Sequence, residues 1–401
     1  MNRWVVAAAA ALVFVGAAQG QGMRPEIGKP LQAAQEMIKS GKYREALGKV
    51  READAVGGKS GAESTMVERM RLAAASGAGD ADTAAHSYEA LAAGMSAAEK
   101  LRTIESIAGS YYRAGAYAKA QQWYARYFAE GGTSATNRTL LTQTQYLSGD
   151  LAGATKQLTA EIQAAERNGQ TPAEDRINLL MNAAARQKDV NGETFALERL
   201  VTYYPKKEYW VSLLSRLQSK PTFSDRLALD TYRLSLASGS MSAAADYSEL
   251  AQLALQAGSG AEAKLVIDKG FAAGILGAGP QAERDKRLRD LVNKRIDEAK
   301  KTQAEDEKQA LSAKDGNELL TIGMNQVFEG QKAKGLQLMQ QGIAKGGLKR
   351  PEDAKLHLAI AQLNAGDNAK AQATLKTVSG TDGTGDLARL WALYARRAKA
   401  S

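Results

Sequence analysis

Apolar and small residues recur along this chain with helical spacing, in blocks that glycines separate into pairs. The clearest pair is built from Ile107, Ala108, Tyr111, Gly115, Tyr117, Ala120, Tyr124 and Tyr127. The apolar positions on both sides of Gly115 lie three and four residues apart, which is the spacing of one face of an α-helix. Glycine readily adopts the left-handed backbone conformation of a tight turn. The pattern therefore predicts two helices joined by a short turn, a helical hairpin.

The same pattern returns at a nearly constant step. The first four glycines follow one another at intervals of 38, 36 and 34 residues, and the last two are 36 residues apart. The glycines of the repeat are Gly41, Gly79, Gly115, Gly149, Gly258, Gly330 and Gly366. A fixed period of this size is typical of a solenoid, in which each unit buries its apolar face against its neighbours. We expect an all-α solenoid of about ten hairpins.

A small residue stands at a fixed place after each of the first four glycines. It follows the glycine by five positions, and a bulkier residue comes four positions later. The small residues are Ala46, Ala84, Ala120 and Ala154. Because a small side chain lets two helices approach closely, we expect these alanines at the contact between the helices of each hairpin.

Two stretches depart from this regular pattern. Between residues 172 and 234 the helical spacing continues without a glycine at the turn, which predicts non-standard hairpins. Between Glu283 and Lys308, 17 of 26 residues are charged, 9 of them basic and 8 acidic. This composition predicts a long solvated helix, which is either a spacer between two parts of the solenoid or one exposed repeat.

The units resemble tetratricopeptide repeats. The resemblance rests on apolar or small pairs such as Ile107 and Ala108 ahead of the glycine, on an aromatic residue two positions after it at Tyr43 and Tyr117, and on the alanine five positions after it. The early tryptophan of the family is missing. The Ala-rich and Gly-rich composition also resembles exported proteobacterial repeat proteins. The resemblance implies a right-handed superhelix that recognises a protein or peptide, and it implies no reaction.

The resemblance also points to candidate binding residues. In this family the first helix of each hairpin lines the concave groove, and residues two, three and six positions before the glycine point into it. The residues selected for partner binding are Tyr112, Arg113, Gln143, Tyr146, Asn178, Asn182 and Arg186. Amide, guanidinium and phenol groups can bind an extended peptide backbone and an acidic group. The alternative is an ordinary solvated groove lining.

A second group of aromatic residues lies near lysines. Tyr203, Tyr204, Tyr209 and Trp210 surround Pro205, with Lys206 and Lys207 between them. Aromatic rings beside lysines can stack on sugars or peptides. Because Pro205 marks the junction of two units, packing between units is the favoured interpretation.

The N-terminus reads as a secretory signal peptide. Arg3 precedes an uncharged apolar run from Trp4 to Ala18, and small residues offer a cleavage site after Ala18 or Gly20. An uncleaved N-terminal anchor is the alternative. We therefore expect residues 1–20 to be a signal peptide and the protein to be periplasmic, with no transmembrane segment after its removal. The predicted domains are an N-terminal superhelix at 21–280, a charged helical spacer or irregular repeat at 281–312, and C-terminal repeats with a capping helix at 313–401.

Charge and candidate chemistry narrow the function. The net charge is +9, but basic and acidic residues are interspersed, so the excess is read as solubility and not as a nucleic-acid site. The chain has no cysteine, and its two histidines, His86 and His357, are far apart, so we expect no metal site, no cofactor and no catalytic residue. Phosphate-loop and nucleophile-elbow motifs are also absent from the sequence.

Three functions remain from the sequence. The first is a non-enzymatic periplasmic scaffold that binds a protein or peptide partner, one carrying an acidic group, in the superhelix groove. The second is a component of an envelope assembly or polysaccharide export system that contacts an acidic glycan or lipid. The third is an enzyme, which no sequence motif supports. The sequence names neither the partner nor the oligomeric state.

Overall fold

A computed structural model describes residues 23–397, and the predicted signal peptide at 1–20 lies outside the described residues. The described part contains α-helices and no β-strand. The chain divides into two compact units, the first ending at Ala160 and the second beginning at Glu161. The predicted boundaries at 280 and 312 lie inside the second unit and stay predictions. The all-α helical-repeat fold is confirmed.

Eight helices cover the first unit and its end. They are α1 (Pro25–Lys39), α2 (Tyr43–Asp54), α3 (Gly61–Ala78), α4 (Ala81–Leu91), α5 (Ala97–Arg113), α6 (Tyr117–Ala129), α7 (Ala135–Ser148) and α8 (Leu151–Arg167). Within the first unit, α1 packs on α2, α3 on α4 and α5 on α6, and α2, α4 and α6 each also contact the helix that follows. This is the nearest-neighbour packing of a helical solenoid.

Twelve helices follow in the second unit. They are α9 (Glu174–Gln187), α10 (Val190–Tyr203), α11 (Lys207–Gln218), α12 (Ala228–Ser238), α13 (Ala244–Gln256), α14 (Gly260–Ala272), α15 (Ala282–Ser312), α16 (Asn317–Phe328), α17 (Lys332–Lys345), α18 (Pro351–Ala365), α19 (Asn368–Leu375) and α20 (Thr384–Arg397). Hairpins form from α9 and α10, α11 and α12, α13 and α14, α16 and α17, and α18 and α19.

The repeat glycines sit where the pattern predicts. All seven have a positive φ, between 72° at Gly79 and 91° at Gly366, and each lies at the turn between two consecutive helices. The turn between α9 and α10 has Lys188 instead, with φ 58°. The long helices α3 and α5 begin with capping boxes, in which Ser60 and Ser96 exchange hydrogen bonds with Glu63 and Glu99. The local sequence therefore defines where the first helix of these two hairpins begins and where it ends.

The core of each hairpin contains the predicted small and large residues. Ala46, Ala84, Ala120 and Ala154 are buried, as are the bulkier residues four positions later, Val50, Tyr88, Tyr124 and Leu158. Ala120 and Tyr124 share one cluster with Ile104, Ile107 and Tyr111. The side-chain sizes therefore determine how closely the paired helices approach.

The second unit has two layers. We call α9–α14 the forward layer and α16–α20 the return layer. Helix α16 packs on α14, and α20 packs on α10 and on α12. His357 of α18 reaches Asp230 of α12, with 3.0 Å between the ring Nε2 and a carboxylate oxygen. The return layer therefore runs back along the second helices of the forward layer.

Helix α15 joins the two layers. It is 31 residues long, and most of its residues are exposed. It contacts α14 and α16, with Val292 and Asp285 among its buried residues. The Asp285 carboxylate accepts a hydrogen bond from the Gly277 amide, 2.9 Å away. Within residues 23–397, no helix is both long enough and apolar enough to cross a membrane.

Candidate functional site

The predicted groove residues of the first unit come together on α5 and α7. The Tyr112 hydroxyl donates to Gln143 Oε1 at 3.2 Å, although the two residues are 31 positions apart. Both lie on the first helix of their hairpin, near its end. The contact shows that these positions on consecutive first helices share one face, as the repeat geometry requires.

Around this contact the face offers both apolar and polar groups. The rings of Tyr112 and Tyr117 meet edge to face with centroids 5.8 Å apart. Arg113 is exposed and donates from Nη2 to the Ser110 hydroxyl at 3.0 Å. Next to the half-buried Tyr146, Leu147 is 47% exposed, which is high for a large apolar side chain. An exposed leucine beside tyrosines and an arginine is a surface suited to a protein partner.

The tyrosine hydroxyls behind this face remain protonated. Burial and hydrogen bonding to Asp82 both raise the pKa of Tyr111, and burial raises the pKa of Tyr124 to about 12. The hydrogen bond from Lys119 and that from Tyr111 lower the pKa of Asp82. Tyr111 is therefore a neutral hydrogen-bond donor and Asp82 an ionised acceptor at neutral pH.

In the second unit, α9 and α11 repeat the pattern. The Asn178 amide donates to the Tyr209 hydroxyl at 3.2 Å, and that hydroxyl donates to Glu174 at 2.5 Å. Lys206 also donates to Glu174, which lowers the pKa of this carboxyl. Asn182 and Arg186 lie further along α9 and are exposed. Asn178 is thus tied to the neighbouring first helix.

The seven predicted residues therefore form two sets, one in each unit. Tyr112, Arg113, Gln143 and Tyr146 belong to the first, and Asn178, Asn182 and Arg186 belong to the second. Within each unit the structure joins residues from consecutive first helices. The binding role of all seven stays a prediction.

The aromatic residues around Pro205 make contacts between neighbouring helical hairpins of the second unit. The Tyr203 hydroxyl donates to Glu166 at 3.1 Å, and the Tyr204 hydroxyl donates to the Pro172 carbonyl at 2.9 Å. Trp210 is completely buried. These hydroxyls are already used within the fold, which supports packing at the junction over stacking on a ligand.

A buried charge cluster was missed by the sequence patterns. Arg233 donates to Glu262 at 2.6 and 2.7 Å and to Asp230 at 2.8 Å, and all three are almost completely buried. His357 contacts the second oxygen of Asp230. Asp230 and Arg233 are three residues apart in the sequence, but Glu262 and His357 come from distant helices. Only the three-residue spacing was visible in the sequence, and it is common on solvated helices.

The charges in this cluster satisfy one another. Burial alone raises the pKa of Asp230, but His357 and the Arg233 guanidinium outweigh it, so the pKa of Asp230 is lowered. Burial opposes the charge of Arg233, yet Glu262 and Asp230 hold its pKa above the usual value. Each charged group of this buried cluster therefore has a partner within the fold. Among the described residues, no group of three or more metal-binding side chains is placed to hold an ion.

An open pocket of about 350 Å³ lies beside the cluster. Arg226 lines it and donates to Asp353 at 2.8 Å, and it also pairs with Asp382. Burial raises the pKa of Asp353, and the nearby Arg226 opposes this shift. Arg350 lies 3.9 Å from the Asp353 carboxylate. The charged walls of the pocket are therefore paired with each other.

Comparison with known proteins finds similarity to solved structures but none to a protein family or to a curated sequence. No model of a protein family matches the chain, and no curated protein matches its sequence. The solved structure of yeast Tom70 is 11% identical over 93% of this chain and 96% of its own, with a TM-score of 0.24. The maize pentatricopeptide repeat protein PPR10 is 12% identical over 94% of this chain and 76% of its own, with a TM-score of 0.28. The repeat assignment therefore rests on the helices and turns of this chain.

Proposed function

We propose that this protein is a non-enzymatic interaction scaffold of the periplasm that binds an extended protein or peptide segment along its first-helix face. The observation that carries the proposal is the contact between Tyr112 and Gln143, which aligns consecutive first helices in one continuous face. Exposed Arg113 and Leu147 flank this contact. An ordered row of helices with exposed polar and apolar groups suits an extended ligand.

The chemistry of this face favours a peptide with an acidic group. Arg113 presents a guanidinium, whose donors match a carboxylate in geometry and charge. Beyond the hydrogen bond that they share, the Tyr112 oxygen can accept from a peptide backbone and the Gln143 amide nitrogen can donate to it. Leu147 supplies apolar contact area. The carboxylate, the backbone and the apolar side chains of an acidic peptide each have a counterpart on this face.

The ionised groups of the interior are paired with one another, which supports a binding role over a catalytic one. Asp230, Glu262 and Arg233 are paired with one another, and the charges around the open pocket are paired as well. General acid–base catalysis needs a titratable group within reach of a substrate and with a suitable pKa. The charged groups described above are paired within the fold, which supports a scaffold over a reaction centre.

Photo-crosslinking in cells tests the proposed binding face. A photoreactive benzophenone amino acid replaces Arg113, and the matched control carries it at Arg284 on α15, which is also exposed. We expect a protein adduct from the first position and none from the second after irradiation of intact cells. Mass spectrometry then identifies the adduct. Adducts from Arg284 alone, or adducts formed only with glycan or lipid, would overturn the proposal.

Export is tested separately. If residues 1–20 act as a cleaved signal, the mature chain begins at Gln19 or Gln21 and is recovered from the periplasmic fraction. N-terminal sequencing after cell fractionation measures this directly. An intact N-terminus in the inner membrane would instead support the uncleaved anchor.

A further inference from the structure

The positive charge of the chain is concentrated in the return layer. Between Lys332 and Lys376 there are eight basic residues and three acidic ones, and this excess is more than half of the net charge of +9. From Gly330 to Pro351 five residues are basic and none is acidic. Along most of the chain the two signs are interspersed, so this segment needs an explanation of its own.

The fold places this charge on the outer side of the return layer. Helices α16 and α20 pack on the forward layer, and α18 reaches it through the contact of His357 with Asp230. Helices α17 and α19, the second helices of consecutive hairpins, pack on α16, α18 and α20. We call the exposed side of α17 and α19, with the loop that follows α17, the basic face. Its exposed basic residues are Lys332, Lys345, Lys349, Arg350, Lys370 and Lys376.

Three lysines of the basic face are not used by the fold. Lys334 and Lys370 form surface ion pairs, but Lys332, Lys349 and Lys376 form none within residues 23–397. Lys332 is the first residue of α17. The partial positive charge of a helix N-terminus disfavours a cation there. Helix stability therefore does not explain this lysine, and the three charges are available to a partner.

The composition of the basic face limits the kind of partner. The sequence has no aromatic residue between Phe328 and Trp391. Among the described residues, the large apolar side chains that are exposed lie outside α17, α18 and α19. Protein interfaces depend on aromatic and apolar anchors, and sugars and unpaired bases stack on aromatic rings. A lysine ammonium is instead a point charge without a fixed donor geometry, which suits a dense and non-directional array of negative charge.

We propose that the basic face binds the surface of a membrane that contains anionic phospholipids. Helix α17 is 14 residues long, about 21 Å at 1.5 Å per residue, with Lys332 and Lys345 at its two ends. Its charges can therefore contact several lipid headgroups at once. Lysines within a Debye length of an anionic membrane are attracted to it. Since the face offers no exposed apolar anchor, the protein docks reversibly and leaves its first-helix face free for the peptide.

Vesicle flotation tests membrane binding directly. The chain from Gln21 onward is used, so that the apolar N-terminal run does not contribute. The probes are vesicles of phosphatidylcholine alone and vesicles that also contain about 30% phosphatidylglycerol. At low salt, about 0.05 M sodium chloride, we expect at least about tenfold tighter binding to the anionic vesicles. At about 0.5 M the two affinities should become similar, because salt screens exposed charges.

Replacing the three unpaired lysines locates the binding. The variant that carries Lys332→Gln, Lys349→Gln and Lys376→Gln should bind the anionic vesicles at least about tenfold more weakly at low salt. All three side chains are exposed, so the fold should persist, as circular dichroism can confirm.

The matched control removes the same number of charges from α15. It carries Lys294→Gln, Lys300→Gln and Lys301→Gln, three exposed positions at which acidic residues are interspersed, and its affinity should change less than about twofold. Equal losses in both variants would mean that net charge and not the basic face attracts the vesicles. Binding to poly-L-glutamate without binding to anionic vesicles would assign the face to an acidic protein. Either result would overturn the proposal.

Discussion

Single small residues decide how closely paired helices approach. Ala120 is completely buried in a cluster that contains Ile107, Tyr111 and Tyr124. It has no side-chain atom beyond Cβ, so the larger neighbours fill the space around it. Any longer side chain at this position must displace α5 or force a strained rotamer.

We therefore expect Ala120→Leu to destabilise the first unit by about 1–3 kcal/mol. Ala125→Leu is the matched control, since Ala125 lies on the same helix but is exposed and should change stability only slightly. Thermal melts followed by circular dichroism measure both. An unchanged midpoint for Ala120→Leu would mean that Ala120 does not lie at the helix contact.

An ion pair near the beginning of the described chain makes stability depend on acid pH. The Arg24 side chain and the Ser60 and Arg24 amides donate to Glu63 and lower its pKa from about 4.5 to about 2. Because the pKa is lower in the folded state, this contribution is present above about pH 4.5 and is lost as the pH falls toward 2. Glu63→Gln should remove it. Chemical denaturation at a series of pH values should show a flatter profile for the variant, and identical profiles would exclude Glu63 as a source.

The residues that sequence patterns located are those with a local signal. Each repeat glycine is recognisable because a positive φ favours glycine, and each small residue keeps a fixed distance from it. Lys188 takes the same conformation without such a signal. The contact of His357 with Asp230 joins residues 127 positions apart. No local pattern encodes such a pair, which depends on how the return layer is placed.

At the scale of helices, α16 and α17 make an unusually close hairpin. Gly323 faces Gly335, and a Cβ at Gly323 would lie 2.6 Å from the Gly335 carbonyl oxygen. Gly335 occupies the place that alanine holds in the other regular units. The two helix backbones are therefore in direct contact, and a side chain cannot be accommodated by rotation alone.

Gly335→Ala should destabilise the second unit by about 1–3 kcal/mol, although alanine favours a helix over glycine by about 1 kcal/mol. The reason is that the new Cβ meets the backbone of Val327 at 2.8 Å. Gly48→Ala is the matched control, because no atom apart from its chain neighbours and the backbone of α2 itself lies within 4 Å of its Cβ position, and it should stabilise by about 0.5–1 kcal/mol. Urea titrations of both variants measure this. Stabilisation by both would refute the close contact.

The helices themselves were largely predictable, whereas their higher-order packing was not. The charged segment between Glu283 and Lys308 predicts a long solvated helix, and α15 is one. Its charge pattern says nothing about where the next hairpin packs. The return of α16 onto α14 depends on contacts such as the hydrogen bond from the Ala261 amide to Asn325, 64 residues away. Helical periodicity is local information, and such contacts are not.

At the scale of the whole molecule, two multiple variants distinguish partner binding by the predicted groove residues from partner binding by the charged helix α15. Arg113, Asn182 and Arg186 are exposed, so replacing all three by alanine should leave helicity intact. Since a hydrogen bond to a charged group contributes roughly 1.5–3 kcal/mol, the triple variant should bind the crosslinked partner at least about tenfold more weakly. Titration at fixed salt measures the affinity.

The control for this prediction replaces Arg284, Lys294 and Lys301 by alanine on α15, where all three are exposed. It removes as many side chains, and we expect only a slight change in affinity. Loss of binding in the control together with retention in the groove variant would place recognition on α15. Circular dichroism confirms that both proteins are folded.

The return of the chain in the second unit also sets the order in which contacts form as the chain emerges. Contacts between neighbouring hairpins join residues about 30 positions apart, as Tyr112 and Gln143 do. The pair of Lys220 and Asp386 spans 166 positions. Because a chain emerges from the ribosome or from an export channel with its N-terminus first, each hairpin of the forward layer can close before α20 has emerged, but the contact between the two layers must wait for α20. Throughout that interval the second helices of the forward layer are not covered by the return layer, and they are accessible to chaperones and to proteases.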